Sequence, residues 1–361
     1  MRNYLLLTPG PLSTSETVRN AMLQDWCTWD KDYNEGVVTA IRSELLQIAD
    51  LGDEYTTVLL QGSGTYSVEA TLSCCVAPQD KLLIFANGAY GNRMADIARY
   101  HKLDHTLVSL KETEQITADI VRQSLAAHPD TTHLAVVHCE TTTGIINPIE
   151  DIAEVLRDSG ITFIVDAMSS FGGIPIDIAG LGIDFLVSSS NKCIQGVPGF
   201  GLIIAKRTAL AACEGISRSL SLDIYDQWKE MEQGHGKWRF TSPTHVVRAF
   251  FQALKELREE GGIEARHRRY EENHRILVQG MREIGFTTLL PDAVQSPIIT
   301  SFLYPEQTFV FADFYEELKQ RGFVIYPGKI SEAPTFRIGN IGDVFPDDFR
   351  RLVDAIADIR R

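Results

Sequence analysis

The sequence contains no apolar run that approaches the roughly 20 residues a membrane-spanning helix needs. Positive charge is also in short supply, because 34 Lys and Arg stand against 48 Asp and Glu and give a net charge of −14 over 361 residues. This balance argues against nucleic acid or an anionic membrane surface as a partner. An anionic ligand would therefore have to be bound by individual cationic side chains rather than by a generally basic surface.

Cysteine is scarce, and the spacing of the cysteines argues against a C-x-x-C motif and against a zinc site. The six cysteines, at positions 27, 74, 75, 139, 193 and 213, form no C-x-x-C pair and have no histidine at zinc-site spacing. They are typical of reduced, mostly buried thiols, and no metal site is expected. The apolar start of the chain is interrupted by Pro9-Gly10-Pro11, which is too early for a secretory signal. We therefore expect a cytoplasmic protein.

What the sequence does contain, between about residues 55 and 205, is a repeated alternation of short apolar runs with amphipathic stretches. The predicted strands are Thr57–Leu60, Lys81–Phe85, His133–Val137, Thr162–Val165, Phe185–Val187 and Gly201–Ile204. The predicted helices include Tyr66–Cys75, Tyr90–Tyr100 and Ile149–Asp158. This alternation predicts an α/β fold with a mostly parallel sheet that is covered by helices on both faces. Ligands of such sheets bind beyond the carboxyl ends of the strands.

The pattern changes after Pro243, where two long helices are predicted, Thr244–Glu260 and Ile263–Ile284. Short predicted strands follow them, near Ile298–Phe302, Val324–Tyr326 and Thr335–Gly339. We interpret this region as a small α+β domain, which divides the chain into a large domain at 12–245 and a small domain at 246–361. The basic run from Arg266 to Arg269 is predicted to be a solvated helix face.

Asp166 and Lys192 are the most informative pair in the sequence. Asp166 ends the apolar run that begins at Ile161, and Lys192 follows twenty-six residues later, just after the next predicted strand. A pyridoxal phosphate enzyme needs such a pair, because the carboxylate keeps the pyridine nitrogen protonated while the lysine binds the aldehyde covalently and moves the proton. Taken one at a time, the two residues also fit a locally paired buried acid and a surface lysine.

Three further motifs follow predicted strands. The turn Gly62-Ser63-Gly64-Thr65 opens a helix, and its glycines, hydroxyls and helix N-terminus suit a phosphate group. A simple tight turn has the same pattern, and the P-loop pattern is missing. Tyr90 can stack on a flat ring or pack on its neighbours. The run from His138 to Gly144 clusters hydroxyls that suit a phenolic oxygen, while His138 itself is more typical of a satisfied core histidine.

All of these features lie at strand ends, so one sheet edge can present a phosphate site, an aromatic ring, hydroxyls, an acid and a lysine together. This combination favours a pyridoxal phosphate enzyme over a non-catalytic nucleotide-binding protein. The latter predicts an acid at the end of the strand after the phosphate turn, where it would hold a ribose. That strand instead ends in Ala86-Asn87-Gly88, and Lys192 would have no role.

Along essentially its whole length the chain resembles the class V aminotransferases of pyridoxal phosphate fold type I. The segments that carry the resemblance are Leu7–Leu12, Gly62–Tyr66, Val165–Gly173, Asn191–Gly199, Trp238–Pro243 and Phe336–Gly342. The resemblance implies a large domain with a mostly parallel sheet flanked by helices and a small α+β C-terminal domain. It also implies pyridoxal 5'-phosphate as the cofactor and an N-terminal segment, residues 1–11, that closes over the active site.

The resemblance further implies roles for individual residues. Lys192 would bind the cofactor covalently, and Asp166 would hold its ring nitrogen. Further cofactor contacts are implied for Ser63, Gly64, Thr65, Tyr90, Thr141 and Thr241. In the family, the threonine at the position of Thr241 reaches the cofactor phosphate of the neighbouring subunit. A homodimer with shared active sites is therefore implied.

For the substrates, the resemblance implies amino transfer from 2-aminoethylphosphonate to pyruvate, which gives phosphonoacetaldehyde and L-alanine in phosphonate degradation. Arg337 would hold the phosphonate and the carboxylate in turn, since the two half-reactions do not overlap, and Gly10 and Pro11 would cover the substrate. Arg93 and Arg239 are further candidates for the phosphonate. The alternative within the family is an alanine–glyoxylate or serine–pyruvate aminotransferase. A cysteine desulfurase fits less well, because no cysteine follows position 213.

Overall fold

The structure is a computed structural model that describes residues 4–330 and 333–360. Its strands, β1 to β14, are Leu5–Leu6, Tyr55–Gly62, Leu82–Ala86, His105–Ser109, His133–Val137, Cys139–Glu140, Ile145–Ile146, Thr162–Asp166, Phe185–Ser189, Gly199–Lys206, Ile299–Leu303, Phe323–Val324, Tyr326–Pro327 and Thr335–Gly339. Its helices, α1 to α13, are Glu16–Asn20, Lys31–Tyr33, Ala40–Ile48, Gly64–Cys75, Ala89–Tyr100, Ala118–Ala127, Ile149–Leu156, Arg207–Ala211, Ile224–Gln233, Thr244–Glu260, Gly262–Glu283, Phe311–Gln320 and Pro346–Ile359. A π-helical segment, Asn34–Thr39, joins α2 to α3.

The main sheet has the strand order β2-β10-β9-β8-β5-β3-β4. Strand β10 runs antiparallel to both of its neighbours, and the other neighbouring pairs are parallel. Since β10 opposes both β2 and β9, those two strands run in the same direction as the rest. The carboxyl ends of β2, β3, β5, β8 and β9 therefore meet at one edge, which we call the carboxyl edge.

Both faces of the main sheet are buried, which is why its strands are continuous apolar runs rather than alternating ones. Within β3, Leu83 and Phe85 belong to one hydrophobic core, whereas Leu82 and Ile84 belong to the core on the opposite face. Helices α4 and α5 cover the second face, and α3 and α10 cover the first. The predicted mostly parallel sheet with helices on both faces is confirmed.

The six predicted strands of this region all belong to the main sheet, but the sequence prediction missed β4. Strand β4, His105–Ser109, is the edge strand beside β3, and its side chains are partly exposed. A half-exposed edge strand tolerates polar residues, so the apolar run that marks the other strands is not needed there.

A second, three-stranded antiparallel sheet, in the order β11-β14-β13, lies in the C-terminal part. The predicted strand near Val324–Tyr326 is divided in two, because β12 pairs in parallel with β1 while β13 pairs with β14. The N-terminal strand is thereby attached to the C-terminal part of the chain. The exact division at residues 245 and 246 stays a prediction.

The prediction that the run Arg266–Arg269 is a solvated helix face is wrong for two of its members. Arg266 is only 2% exposed, and its guanidinium pairs with Glu260 at 2.7 Å and donates to the Cys193 carbonyl at 2.8 Å. Arg269 also pairs with Glu260, at 2.7 Å, and donates to the Gly342 carbonyl at 2.9 Å. Burial of the two cations is possible because a carboxylate and carbonyl oxygens accept hydrogen bonds from their N–H groups. Arg268 is exposed, as predicted.

The six cysteines are free and mostly buried, as the sequence predicted. Cys27 is exposed and the other five thiols are buried, and all six are free. Among the described residues, none of the helices combines the length and the apolar composition that crossing a bilayer requires.

Candidate active site

Lys192 lies three residues after the end of β9, at the carboxyl edge. Its ammonium nitrogen donates a hydrogen bond to the Pro9 carbonyl at 2.5 Å. Burial lowers the pKa of the Lys192 side chain, because the charged form loses hydration. A lowered pKa increases the share of neutral amine, which is the nucleophilic form.

Asp166 ends β8, the strand next to β9. The side chain is 5% exposed, and burial raises the pKa of its carboxyl to about 6, although the Met168 amide donates to Oδ1 at 2.9 Å. The nearby Lys192 acts in the opposite direction and lowers this pKa. The structure thus brings the acid and the lysine to adjacent strand ends, as the spacing predicted.

The turn Gly62–Thr65 joins β2 to α4 at the same edge. Gly62 has a φ of +124°, in the region that favours glycine, and Ser63 is the N-cap residue but makes no side-chain capping bond. The Ser63 hydroxyl and the first N–H groups of α4 can therefore serve an anion. A Cβ on Gly64 would lie 2.1 Å from the Met168 sulfur, so a larger residue there would require the Met168 side chain to move. Thr65 Oγ1 accepts from Arg93 at 3.0 Å.

Tyr90 lies in the first turn of α5, which begins just beyond β3. The Arg93 guanidinium lies 5.0 Å from the centre of its ring, and the Lys329 ammonium lies 4.7 Å from it. Tyr90, Thr65 and Asp166 line one small cavity together with Arg93 and other side chains. Lys329 was not found by sequence reasoning, because it belongs to a loop after β13 that carries no motif.

Thr141, in the turn between β6 and β7, contacts Arg337 of the three-stranded sheet. Arg337, on β14, is 6% exposed and donates to the Thr141 carbonyl at 2.8 Å and to the Pro327 carbonyl at 3.0 Å. No ion pair links this guanidinium to a carboxylate of the described residues. Thr141 Oγ1 is buried and has no hydrogen-bond partner there either. A buried unsatisfied hydroxyl costs about 1–3 kcal/mol, so both side chains are suited to polar groups of a ligand.

The N-terminal segment reaches the lysine from the C-terminal part of the chain. Beyond β1, the Leu7 carbonyl accepts from the Gly339 amide at 2.9 Å, and Pro9 accepts from Lys192. Gly10 has a φ of +109°, and a Cβ there would lie 2.8 Å from Lys192 Cδ. Gly10 is partly exposed and Pro11 is exposed. These contacts agree with a segment that covers the site, although its closing over a substrate stays a prediction.

Three other residues that the sequence singled out have side chains that bond to partners other than the site residues or face an open pocket, although the His138 amide donates to the Asp166 carbonyl at 2.9 Å. Thr241 is exposed and lines an open pocket with Trp29 and Phe240, which are 79% and 51% exposed. Arg239 pairs with Asp226 at 3.3 Å. His138 is buried, shares a 2.9 Å hydrogen bond with Ser170, and has its pKa lowered to about 4 by burial, as a satisfied core histidine does.

The arrangement fits pyridoxal phosphate. An amine of lowered pKa, a buried carboxyl, an unsatisfied hydroxyl at Thr141 and a helix N-terminus all lie beyond strands that end at the carboxyl edge. Together they are the donor set that an aldehyde, a ring nitrogen, a phenolic oxygen and a phosphate require. Within the described residues, no three or more His, Cys, Asp or Glu side chains are grouped to hold a metal ion.

The family model of the class V aminotransferases matches residues 32–345. The chain is 66% identical to a 2-aminoethylphosphonate–pyruvate transaminase of Bacteroides fragilis over 357 residues, which are 99% of each chain. It is 62% identical to another protein of that name from Vibrio vulnificus over 358 residues, which are 99% of this chain and 98% of the relative.

Solved structures agree with the sequence relatives. The fold superimposes on alanine–glyoxylate aminotransferase from Nostoc with a TM-score of 0.91 at 25% identity, covering 100% of this chain and 96% of the other. The match to pyridoxamine–pyruvate aminotransferase from Mesorhizobium loti has a TM-score of 0.89 at 22% identity and covers 100% and 94%. The predicted fold class is confirmed, and a non-catalytic nucleotide-binding protein is excluded. The chain belongs to the class V aminotransferases.

Proposed function

We propose that this enzyme transfers the amino group of 2-aminoethylphosphonate to pyruvate, with pyridoxal phosphate as its cofactor, and forms phosphonoacetaldehyde and L-alanine. The observation that carries the proposal is the similarity of the whole chain, at 66% and 62% identity, to transaminases that bear these substrates in their names. The geometry of the carboxyl edge supports it, because each chemical group of the cofactor has a matching side chain there.

In the proposed site, Lys192 would hold the cofactor covalently and Asp166 would hold its ring nitrogen. Ser63, Gly64 and Thr65 would bind the phosphate, Tyr90 would stack on the ring, and Thr141 would donate to the ring hydroxyl. The bound cofactor supplies an electron-accepting ring that stabilises negative charge on the reacting carbon.

The chain itself supplies the proton transfer. The amino donor would first displace Lys192 from the cofactor, and the freed Nζ would then be the base that removes the proton from the amine-bearing carbon and the acid that returns it. Burial lowers the pKa of this side chain, which favours the neutral amine that can accept the proton. The carboxylate of Asp166 would keep a positive charge on the ring nitrogen. The N-terminal segment contacts Lys192 through Pro9 and Gly10, and it would shield the reacting atoms from water.

A phosphonate carries more negative charge than a carboxylate, and this site is locally cationic although the chain is acidic overall. Arg337 is held by carbonyl oxygens rather than by a carboxylate, so its charge is available to a substrate. Arg93 and Lys329 lie over the Tyr90 ring. Arg239, the other candidate for the phosphonate, is engaged by Asp226. The cationic contacts around Tyr90 support a phosphonate donor over the alanine or serine of the alternative.

The test is an absorbance titration of the purified holoenzyme. We expect 2-aminoethylphosphonate to remove the visible band of the bound cofactor and pyruvate to restore it, because each completes one half-reaction. β-Alanine, which carries a carboxylate in place of the phosphonate, is the matched control and should act far more weakly. A protein that responds to L-serine or L-alanine but ignores the phosphonate would be the alanine–glyoxylate or serine–pyruvate type. A protein that acquires no visible band with pyridoxal phosphate would contradict the enzyme proposal.

The proposal includes a homodimer in which Thr241 binds the cofactor phosphate of the partner subunit. Its support is that Thr241 is exposed in the single chain and has the large exposed rings of Trp29 and Phe240 beside it. Exposed aromatic side chains of this size are typical of protein interfaces. The cytoplasmic location stays a prediction from the sequence.

Mixed dimers test this arrangement. We expect Thr241→Val to weaken cofactor binding about 10- to 100-fold, the effect of one lost hydrogen bond to a charged group. Mixing it with Lys192→Ala subunits should then create dimers with one intact site. Activity above the sum of the two parents, measured at a cofactor concentration that saturates only the wild type, is the expected result. Activity equal to that sum would show that each chain serves its own site.

A further inference from the structure

Glu140 is a fully buried acid at the carboxyl edge to which the proposed mechanism gives no role. It forms β6 with Cys139, just beyond β5. Strand β6 pairs with β7 in a short antiparallel hairpin whose turn contains Thr141. The Glu140 side chain is 0% exposed, and no cation of the described residues forms an ion pair with it. A buried carboxylate without a cation is costly unless other donors satisfy it.

Four donors satisfy this carboxylate, two on each oxygen. Oε2 accepts from the backbone amides of Tyr90 at 3.0 Å and Gly91 at 3.3 Å. Oε1 accepts from the Thr142 amide at 3.1 Å and from the Thr142 hydroxyl at 2.5 Å. Burial raises the pKa of the Glu140 carboxyl, and these hydrogen bonds oppose that rise.

The same contacts cap the N-terminus of α5 from a distance in the sequence. The first N–H groups of a helix have no partner within the helix and are usually satisfied by the N-cap side chain. Here the N-cap residue is Gly88, which has no side chain. The amides of Tyr90 and Gly91 bind Glu140, and the Ala89 amide binds Thr142 Oγ1 at 3.0 Å.

Gly88 makes this cap possible. A Cβ at that position would lie 2.4 Å from the Glu140 Cδ and Cγ atoms, so a larger residue would expel the carboxylate. The helix is twelve residues long, and its positive dipole end favours an anion at this position. The carboxylate and the helix start therefore fit each other closely.

This cap joins the residues that the proposed site relies on. Tyr90, whose amide binds Glu140, carries the ring that would stack on the cofactor. Thr141 lies between Glu140 and Thr142, and its carbonyl accepts from Arg337. One carboxylate thus fixes the position of the ring, of the unsatisfied hydroxyl and of the arginine contact together.

We propose that Glu140 is a positioning residue that holds Tyr90 and Thr141 in the geometry that cofactor binding requires. It acts through backbone amides and the Thr142 hydroxyl, and it contacts neither cofactor nor substrate. This inference rests on the proposed function, because the residues that it positions are the proposed cofactor contacts.

Glu140→Gln tests the proposal without changing the size of the side chain. A glutamine has only one acceptor oxygen, so its NH₂ group must face either the Tyr90 and Gly91 amides or the Thr142 donors. Thr142→Val removes the hydroxyl that links Ala89 to Glu140, and Thr142→Ser is the matched control that keeps it. The cofactor dissociation constant, the circular dichroism of the bound cofactor, and kcat and KM are measured for each variant.

We expect Glu140→Gln to weaken cofactor binding by about 10- to 100-fold, as unsatisfied donors do, and to change the circular dichroism of the bound cofactor. With cofactor at saturation, kcat should fall while KM for pyruvate changes much less. Thr142→Val should have the same effects in a smaller degree, and Thr142→Ser should resemble the wild type. If Glu140→Gln fails to fold, the comparison of the two Thr142 variants decides.

Unchanged cofactor affinity and dichroism in Glu140→Gln would overturn the inference, even if the variant melted at a lower temperature. The same holds if Thr142→Val and Thr142→Ser are alike. These readouts do not depend on the amino donor, so a wild-type enzyme that binds the cofactor but ignores the phosphonate would leave the role of Glu140 standing. A wild type that does not bind pyridoxal phosphate would overturn both proposals.

Discussion

Replacing Lys192 by alanine should lower kcat of the transamination about 10⁴-fold or more, since a positioned proton-transfer group alone contributes roughly 10²–10⁴-fold. The loss should be larger than for any other single residue, because the same amine also binds the cofactor covalently. Steady-state rates with 2-aminoethylphosphonate and pyruvate measure the effect, and thermal melting verifies that the variant is folded.

Lys206→Ala is the matched control for this experiment. Lys206 ends β10 at the opposite edge of the sheet, where it pairs with Asp184 at 3.1 Å. We expect that variant to keep its activity. A Lys192→Ala enzyme that turns over at a rate near that of the wild type would contradict the assignment of Lys192 as the residue that binds the cofactor and transfers the proton.

Asp166→Asn should lower kcat by about 10³-fold, the order of effect of removing a preorganised electrostatic group. An amide keeps the shape of the carboxyl but cannot hold a positive charge on the ring nitrogen. Reaction rates with saturating cofactor measure this loss. Activity within a few-fold of the wild type would contradict the proposed role of Asp166.

The same variant should stabilise the cofactor-free protein. The folded-state pKa of Asp166, about 6, lies above the ordinary value of 3.8, so the folded protein binds more protons than the unfolded chain between those two values. Its contribution to stability is therefore present at low pH and is lost as the pH rises through this window, by up to about 3 kcal/mol at neutral pH.

Denaturant unfolding of the cofactor-free wild type and Asp166→Asn variant at pH 4.5 and pH 7 measures this contribution of Asp166 to the free energy of unfolding. We expect Asp166→Asn to gain stability relative to the wild type as the pH rises, because titrating groups that do not interact with Asp166 are shared by the two proteins and cancel. Lys192 does not cancel fully, since the charge of Asp166 raises its pKa. If the free energy of unfolding changed equally with pH in both proteins, the pKa of Asp166 would not be raised by folding.

The location of the site could be predicted from the sequence because parallel strands bring their carboxyl ends to one edge. Ser63, Tyr90, Asp166 and Lys192 each follow an apolar run that is recognisable without a structure, and those runs form β2, β3, β8 and β9. The edge strand β4 and the order of the strands in the sheet were missing. That order depends on pairings between distant residues, which apolar patterns do not specify.

The contact of Lys329 with Tyr90 and the burial of Glu140 and Arg266 could not be predicted in the same way. Lys329 reaches Tyr90 only because the C-terminal part of the chain folds back over the carboxyl edge. Glu140 and Arg266 have the charges of surface residues, and their burial depends in part on distant partners, the Tyr90 amide for Glu140 and the Cys193 carbonyl for Arg266. A charge pattern in the sequence contains no information on such partners.

Strand β2 has consequences for the order in which the protein folds. In the main sheet it is hydrogen-bonded to β10 alone, with Gly62 opposite Gly199 and Tyr55 opposite Lys206. A nascent chain therefore cannot add β2 to the sheet until the ribosome has released residues well over a hundred positions later. Contacts of such long sequence separation form slowly, because closing the intervening loop costs entropy before any pairing is gained. We therefore expect the turn at Ser63 to acquire its final position late, after β3, β5 and β8 have had time to pair with one another.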